Sequence, residues 1–377
     1  MTLSSWDAVV IGAGPAGSAA ATSLAGAGRR VLLLEKDRFP RPKVCGEFLS
    51  GDAVRFLDRL AVREPVEKAA PERILGGSIH PPRGDGICFR LPAPALGISR
   101  FLFDDLLARR AAEAGAHVRF GARVTSVCRT SAAFRIRVVK DGSEDEIEAG
   151  AVVGAWGRWD ALDRRLERGF LANRRRFFAW SRDYAGDTRP LAGRVRLYLF
   201  AGGYWGLSRV EGAKANLAGV VSEKTLRRAG SRWDEVCRRA RESNPFLDAD
   251  LSSLEPGPTG FLGTGPVFFT AKPPVEDGIL MAGDAAGFLD PFSGEGQASA
   301  LASGILAAEA IEGVLSGRIA PPDLQRAYEA AWRRQFARRF RWSALLRRIM
   351  LHPALGALAG RLAGQGLVRL GIAATRR

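Results

Sequence analysis

The sequence has few of the residues that bind metals or form disulfide frameworks. Only four cysteines and three histidines occur among 377 residues. The four cysteines are far apart and include no C-x-x-C pair, which excludes a zinc site or a disulfide framework as the basis of the fold. We therefore predict no metal and a reducing, cytoplasmic environment. These cysteines are Cys45, Cys88, Cys128 and Cys237.

Lysine is also scarce, although the chain carries a formal net charge of +16. Seven of the 56 basic residues are lysine and the other 49 are arginine. No zinc-finger spacing or other nucleic-acid motif accompanies this charge, so we predict no nucleic-acid partner. A positive field suits anionic cofactors or membrane headgroups instead.

Neither end of the chain has the apolar run of a signal peptide or a membrane span. No basic segment followed by an apolar run opens the chain, so we predict no signal peptide. The uncharged stretch 349–360 near the C-terminus contains Pro353 and is too short to span a bilayer. We expect a cytoplasmic protein.

Strand and helix patterns alternate at the start of the chain and predict an α/β fold. A buried strand from Asp7 to Ile11 precedes an Ala-rich helix from Pro15 to Leu24 and a strand from Val31 to Leu34. From Leu166 to Thr270 the pattern is that of antiparallel strands around one helix, 231–243, before strand and helix resume. The predicted domains are a discontinuous nucleotide-binding domain (1–75, 97–165 and 271–320), a substrate domain (76–96 and 166–270) and a basic helical C-terminal region (321–377).

The segment Gly12-Ala13-Gly14-Pro15-Ala16-Gly17 lies between the first strand and the first helix. In a G-x-G-x-x-G turn the first glycine makes the tight turn, the second admits a pyrophosphate, and the third lets helix and strand pack closely. The N-terminus of the helix stabilises phosphate charge. Glu35 ends the second strand, where its carboxylate is placed to bind a ribose. These features predict an adenine dinucleotide site.

A second element, near residue 283, favours FAD. The strand from Ile279 to Ala282 ends in Gly283-Asp284, where the aspartate is placed to bind the ribityl chain and pyrophosphate. The segment 290–297 then opens a long helix whose N-terminus we expect to point at the flavin ring. It includes Gly294, Gly296 and Gln297.

Together these motifs resemble those of a flavoprotein superfamily that comprises aromatic hydroxylases, geranylgeranyl reductases and flavin-dependent halogenases. The resemblance runs from Asp7 to about Leu315. It is closest to the geranylgeranyl-reductase-like branch, through Pro42-Lys43-Val44-Cys45-Gly46-Glu47, through Ile98-Ser99-Arg100 with Phe103-Asp104, and through Gly263-Thr264-Gly265-Pro266. It implies a Rossmann-type FAD-binding domain (glutathione-reductase-like, hydroxylase type) with an inserted antiparallel β-sheet and a helical C-terminal extension.

The same resemblance implies roles for individual residues. Arg100 would contact FAD, Val124 would flank the adenine, and Gly46 and Glu47 would lie near the flavin. We predict Cys45 and Glu47 as catalytic residues, with loop packing as the alternative for Cys45. The predicted FAD-binding residues are Gly12, Gly14, Pro15, Ala16, Gly17, Glu35, Lys36, Lys43, Gly46, Arg100, Val124, Gly283, Asp284, Gly294, Gly296 and Gln297.

Two departures from the superfamily bear on the reaction. Aromatic hydroxylases carry an Asp-Gly pair that helps to receive NAD(P)H, whereas this chain has Ala155-Trp156-Gly157-Arg158. Halogenases share a Trp-x-Trp-x-Ile-Pro element, which Tyr204-Trp205-Gly206-Leu207-Ser208 does not match. Typical NAD(P)H docking and halogenation are therefore both disfavoured.

The leading functional hypothesis is an FAD-dependent oxidoreductase that oxidises or hydroxylates a hydrophobic aromatic, polyketide- or isoprenoid-derived metabolite. The alternatives are a geranylgeranyl-reductase-like reductase of prenyl double bonds, a flavoprotein that carries electrons to a protein partner, and, least favoured, a halogenase. The electron donor is NAD(P)H or reduced ferredoxin, and an electron-donor protein is then a further partner.

The C-terminal region suggests a membrane contact. Between Trp332 and Arg348, arginines are interleaved with aromatic and leucine residues. A basic helix of this kind can lie in an anionic interface. We expect either peripheral contact with the inner face of the membrane or packing of the helix on the flavin domain with its arginines in solvent.

Overall fold

The structure is a computed structural model, and it describes residues 5–131, 133–173 and 176–350. Two sheets and a set of helices make up this part of the chain. The helices are α1 Pro15–Gly26, α2 Gly51–Arg59, α3 Arg63–Lys68, α4 Arg100–Glu113, α5 Ala161–Arg165, α6 Glu223–Arg228, α7 Trp233–Ser243, α8 Pro245–Ser252, α9 Gly296–Leu315 and α10 Leu324–Met350. The strands are β1 Ser5–Ile11, β2 Val31–Glu35, β3 Phe48–Leu49, β4 Glu72–His80, β5 Ile87–Gly97, β6 His117–Phe120, β7 Arg123–Arg129, β8 Phe134–Lys140, β9 Ser143–Gly154, β10 Phe177–Gly186, β11 Arg194–Phe200, β12 Gly203–Arg209, β13 Ala215–Ser222, β14 Leu254–Pro256, β15 Leu262–Val267, β16 Val275–Glu276 and β17 Ile279–Met281.

The first sheet has the doubly wound character that the sequence predicts. Its order is β16-β17-β9-β1-β2-β6, and β1 pairs in parallel with both β2 and β9. Every residue of β2 is buried, as expected for a parallel strand covered on both faces. An antiparallel hairpin of β8 with β9, to which β7 is added, is joined to this sheet through β9.

The second sheet forms the region that the sequence assigns to substrate. Its order is β14-β10-β13-β12-β11-β4-β5-β3, with β15 added to β10. All its pairs are antiparallel except β4 with β11. One face packs against α7 and α8 around Trp180, Tyr198 and Trp205. The strands β3 and β4 begin within residues 1–75, so the predicted nucleotide segment also supplies strands to this sheet.

The prediction of one helix in this middle region was wrong. Beside α7 the structure has α6 and α8. Helix α8 begins at Pro245, and the Asn244 side chain accepts a hydrogen bond from Leu247 N at 3.3 Å. Asparagine as N-cap followed by proline is a strong helix start, a signal that the strand-like pattern around it obscured.

Helix α10 packs on the first sheet through its aromatic residues. Tyr328, Trp332 and Phe336 are buried, and the Tyr328 hydroxyl donates to Met281 O at 2.6 Å. Trp332 and Phe336, two of the aromatic residues that we expected at a membrane interface, are therefore part of the core. The predicted helical region 321–377 is helical from Leu324 to Met350, and residues 351–377 lie outside the described residues.

Helix α9 is the central helix of the nucleotide-binding half. It is long and apolar enough to cross a membrane by length and composition, but 56% of that apolar window is buried inside the protein. It packs closely on α1, because a Cβ added at Gly304 would lie 2.0 Å from Ala16 O. The glycine thus fixes the distance between the two helices that begin beside the candidate site.

We predict that Gly304→Ala destabilises the protein by about 1–3 kcal/mol, the usual cost of overpacking, because the methyl group would push α9 away from the α1 backbone. Urea unfolding measures the change. The matched control is Gly26→Ala at the end of α1, where the added Cβ meets nothing within 4 Å. The control should change stability by less than about 1 kcal/mol. Equal effects of both substitutions would contradict the close-packing argument.

Candidate functional site

Two connected cavities lie between the sheets. The larger has a volume of about 310 Å³ and extends from the start of α1 to the face of the second sheet. The smaller, of about 230 Å³, extends from the G-x-G-x-x-G turn along the end of β2. They meet at a shared set of lining residues, which suits an elongated ligand. These residues are Gly14, Lys43, Ala155 and Arg158.

The G-x-G-x-x-G turn has the geometry that its sequence predicts. Gly12 has φ +101°, and a Cβ there would lie 2.4 Å from Ala155 O. A Cβ at Gly17 would lie 1.8 Å from Gly12 O, so the third glycine allows helix and strand to pack. Gly14 is the N-cap of α1 and lines both cavities. The N-terminus of α1 therefore faces the junction where a pyrophosphate would bind.

Glu35 organises the smaller cavity. Its Oε2 accepts a hydrogen bond from Ala13 N at 2.8 Å, and its Oε1 accepts one from Asp37 N at 3.0 Å. The carboxylate therefore holds the glycine-rich turn as well as lining the groove. Lys36 and Val124 line the same groove, and Lys36 forms an ion pair with Asp160 at 2.7 Å.

The Gly283-Asp284 turn is held from behind by two buried cations. The Lys272 amine donates to Asp284 O at 2.7 Å and to Arg158 O at 2.5 Å. Arg168 donates to Ala285 O at 2.9 Å and forms a fully buried ion pair with Asp163 at 2.9 Å. Burial lowers the pKa of Lys272 to about 8. These contacts fix the turn against the loop that follows β9.

Positive charge is concentrated where the two cavities meet. Arg100 and Arg41 share the carboxylate of Asp104, at 2.5 Å and 3.1 Å. Within the described chain, neither the Lys43 amine nor the Arg158 guanidinium has a carboxylate at ion-pair distance. Burial, together with the nearby arginines, lowers the pKa of Lys43 to about 8, and burial lowers that of Arg158. The junction therefore has unmatched positive charge that favours a bound anion.

The loop from Lys43 to Glu47 lies over the second sheet. Asn216 on β13 donates to Cys45 O at 2.9 Å, and Glu47 N donates to Cys45 Sγ at 3.3 Å. Glu47 has φ +53°, a left-handed conformation that is uncommon outside glycine. The Cys45 Sγ also lies 3.9 Å from Gln297 Nε2 at the start of α9. Cys45, Gly46 and Glu47 all line the larger cavity.

Glu47 is a half-buried acid in this cavity. Its Oε1 accepts a hydrogen bond from Arg100 N at 3.0 Å, at the first residue of α4. Burial raises the pKa of Glu47 to about 8, against the opposing effect of that hydrogen bond. Glu211 and Asp183 raise it further by repulsion. The side chain is thus held mainly as the neutral acid at neutral pH, and it can donate a proton.

The start of α9 completes the wall of the larger cavity. Gly294, Gly296 and Gln297 line it, and Gln297 Oε1 is buried without a hydrogen-bond partner among the described residues. Nearby, the Tyr204 hydroxyl donates to Asp290 and accepts from Phe292 N at 2.9 Å. This contact joins the second sheet to the loop before α9.

The structure brings almost all predicted site residues together. Each of them lines one or both cavities except Gly17, which packs α1 against the turn. Their individual roles stay predictions. Arg41, Arg158 and Lys272 were not among the predicted residues. The sequence does place Arg158 shortly after the buried strand β9, where ligands commonly bind in such a sheet. These three residues act through contacts with segments far away in the sequence, and a local motif cannot predict such contacts.

The residues at the site fit FAD. Gly14 and the N-terminus of α1, with Lys43, Arg100 and Arg158, would hold the pyrophosphate. Glu35 and Val124 would face the adenosine half, and Asp284 and the unpaired Gln297 amide oxygen would face the ribityl and flavin half. Because the two cavities join, a dinucleotide can occupy both.

Comparison with known proteins points to the same cofactor. Residues 5–180 match the family model described as an FAD binding domain. The chain is 29% identical to digeranylgeranylglycerophospholipid reductase 2 of Methanopyrus kandleri over 382 residues, which cover 97% of this chain and 92% of that protein.

Solved structures share the fold at low sequence identity. A triple mutant of the flavin-dependent brominase Bmp2 superposes with a TM-score of 0.83 at 24% identity, covering 99% of this chain and 95% of that one. A geranylgeranyl bacteriochlorophyll reductase-like protein from Thermoplasma acidophilum gives a TM-score of 0.80 at 22% identity, with 98% and 91% covered.

We predict that Asp284→Ala weakens FAD binding by about 10- to 150-fold, the loss expected for charge-assisted hydrogen bonds of about 1.5–3 kcal/mol. Titration of the apoprotein with FAD, followed by flavin fluorescence, measures the dissociation constant. Asp248→Ala is the control, because Asp248 pairs with Arg241 on the distant α7–α8 surface. An unchanged dissociation constant in Asp284→Ala would remove Asp284 from the site.

Proposed function

The chain belongs to the FAD-dependent oxidoreductase superfamily, and from this premise we propose that it saturates carbon–carbon double bonds of an apolar, prenyl-type substrate. The observation that carries this proposal is the half-buried carboxyl group of Glu47, which lines an apolar cavity beside the predicted flavin site and whose pKa is raised to about 8. Saturation of a double bond requires a proton as well as two electrons, so an acid at this position has a defined task.

The cavity wall supports an apolar substrate. Strands of the second sheet and the loop before α9 contribute aliphatic and aromatic side chains, which exclude water and favour a hydrocarbon chain or ring. Tyr204 also lines the wall, whereas Tyr198 and Trp205 belong to the core on the other face of the sheet. The apolar lining residues are Ile79, Ile87, Phe89, Leu91, Val195, Leu197, Leu199, Val220, Phe288, Leu289 and Phe292.

Each residue of the site then has a proposed task. The cations at the cavity junction and the N-terminus of α1 bind the pyrophosphate, and Lys272 and Arg168 hold the turn that carries Asp284. Reduced FAD supplies a hydride equivalent when it is bound. Glu47 donates a proton to the other carbon of the double bond and regains one from solvent after the saturated product has left. Cys45 is proposed to pack beside the flavin, since a thiol is small and polarisable.

The relatives support a reductase over the other candidates. The similar proteins named above include a digeranylgeranylglycerophospholipid reductase that matches nearly the whole chain. Hydroxylation of a hydrophobic aromatic substrate is the second candidate, because Phe89, Phe288 and Phe292 can also stack on a ring. The proposal holds for either electron donor, NAD(P)H or reduced ferredoxin.

One experiment separates the two candidates. FAD-loaded protein is reduced with dithionite without oxygen, geranylgeraniol is added, and the products are analysed by mass spectrometry. We expect products that have gained two hydrogens per double bond, together with reoxidation of the flavin. An aromatic substrate that gains an oxygen atom only when air and NAD(P)H are present, with no saturated prenyl product, would replace this proposal by the hydroxylase.

We predict that Glu47→Gln lowers turnover by about 10²- to 10⁴-fold while FAD stays bound, since general-acid catalysis contributes about this much. In the wild type the acid is needed in its protonated form, so turnover should fall as the pH rises through about 8, the pKa of Glu47. The variant should lose this alkaline decline.

The flavin spectrum and the FAD dissociation constant serve as controls for the position of α4, whose first residue bonds Glu47. A Glu47→Gln variant that keeps wild-type turnover and the same alkaline decline would show that Glu47 only caps α4. Reduction of the flavin itself should be unaffected, because Glu47 acts on the substrate.

A further inference from the structure

Helix α10 has an outer face that its packing leaves in solvent. Arg334, Arg338 and Arg341 are exposed, and in the described part of the chain none has a carboxylate within ion-pair distance. At about 100° per residue they fall within about 60° of arc on the helix. We call these three residues the arginine stripe.

The packed residues of α10 occupy the opposite side. Tyr328, Trp332, Phe336 and Ser343 are buried and centre about 160° from the arginine stripe. The helix therefore cannot turn its arginines inward without losing this core. Leu345 continues the stripe one turn beyond Arg341 and is 46% exposed.

We propose that the arginine stripe is a docking surface for an anionic lipid bilayer. Charge complementarity favours an anionic partner, because each arginine near such a surface contributes attraction. Leu345 favours a bilayer over an acidic protein, since an exposed leucine in line with the arginines can enter the acyl boundary while they stay among the headgroups.

Helix α10 connects this surface to the larger cavity. Phe340 packs against Gly287, and Ser343 Oγ accepts a hydrogen bond from Asp290 N at 3.0 Å. The loop between Gly287 and Asp290 contributes Phe288 and Leu289 to the cavity wall. Docking would thus place the cavity beside the phase in which an apolar substrate dissolves. This use rests on the proposed function, whereas the lipid binding itself does not.

The test is sedimentation of the full-length protein with vesicles of phosphatidylglycerol and phosphatidylcholine, and with vesicles of phosphatidylcholine alone. We expect binding only to the anionic vesicles, weakening as salt is raised. The triple variant Arg334→Gln, Arg338→Gln, Arg341→Gln should lower the partition coefficient by about 100-fold. FAD content and thermal unfolding confirm that the variant is folded.

The matched control removes three other exposed arginines, at positions 73, 90 and 228 of the second sheet and α6. It should bind the anionic vesicles like the wild type, because net charge alone is not the cause. Equal losses in both triple variants, or no binding of the wild type at low salt, would overturn the proposal. If the wild type does not bind at low salt, an acidic protein would replace the bilayer as the partner of the arginine stripe. Vesicle binding without prenyl reduction would instead count only against the proposed function.

Discussion

The organisation of this protein depends on positive charge that is buried or half-buried between two sheets. Lys43, Arg100 and Arg158 come from three distant segments, and Asp104 is shared between Arg100 and Arg41. Burying unmatched cations is unfavourable, as the lowered pKa of Lys43 indicates. An anion of fitting shape relieves that cost. The pyrophosphate of FAD, bound at the N-terminus of α1 where the two cavities meet, would supply such an anion, with the adenosine half in one cavity and the flavin half in the other.

The rest of the structure serves to hold these charges and the flavin cavity in place. Gly304 sets the distance between α1 and α9, and Lys272 ties the Asp284 turn to the loop after β9. Asn216 fixes the Cys45 loop on the second sheet. The candidate site therefore lies where these elements meet. Its acid, Glu47, is at once part of the cavity and a partner of the α4 backbone.

Sequence alone predicts the features that depend on short-range geometry. The turn from Gly12 to Gly17 requires glycines for steric reasons that neighbouring residues impose, and the Gly283-Asp284 turn follows its strand directly. The roles of Lys272 and Arg158 could not be predicted in this way. Lys272 donates to the backbone oxygens of Arg158 and Asp284, which are 114 and 12 residues away in sequence, and no motif links these positions. The basic aromatic pattern of α10 predicts an amphipathic helix. Which face is buried depends on the sheet beneath it, and the aromatic face proved to be the inner one.

The most direct test of an extended FAD site is a comparison of ligands on the apoprotein. The thermal unfolding midpoint is measured with FAD, FMN and ADP at equal concentrations, because ligand binding to the folded state raises it. FAD should raise the midpoint most, since only FAD can place a diphosphate at Lys43 and Arg158 and also fill both cavities. FMN lacks the adenosine half, and ADP lacks the flavin. A midpoint raised as much by FMN as by FAD would contradict the account.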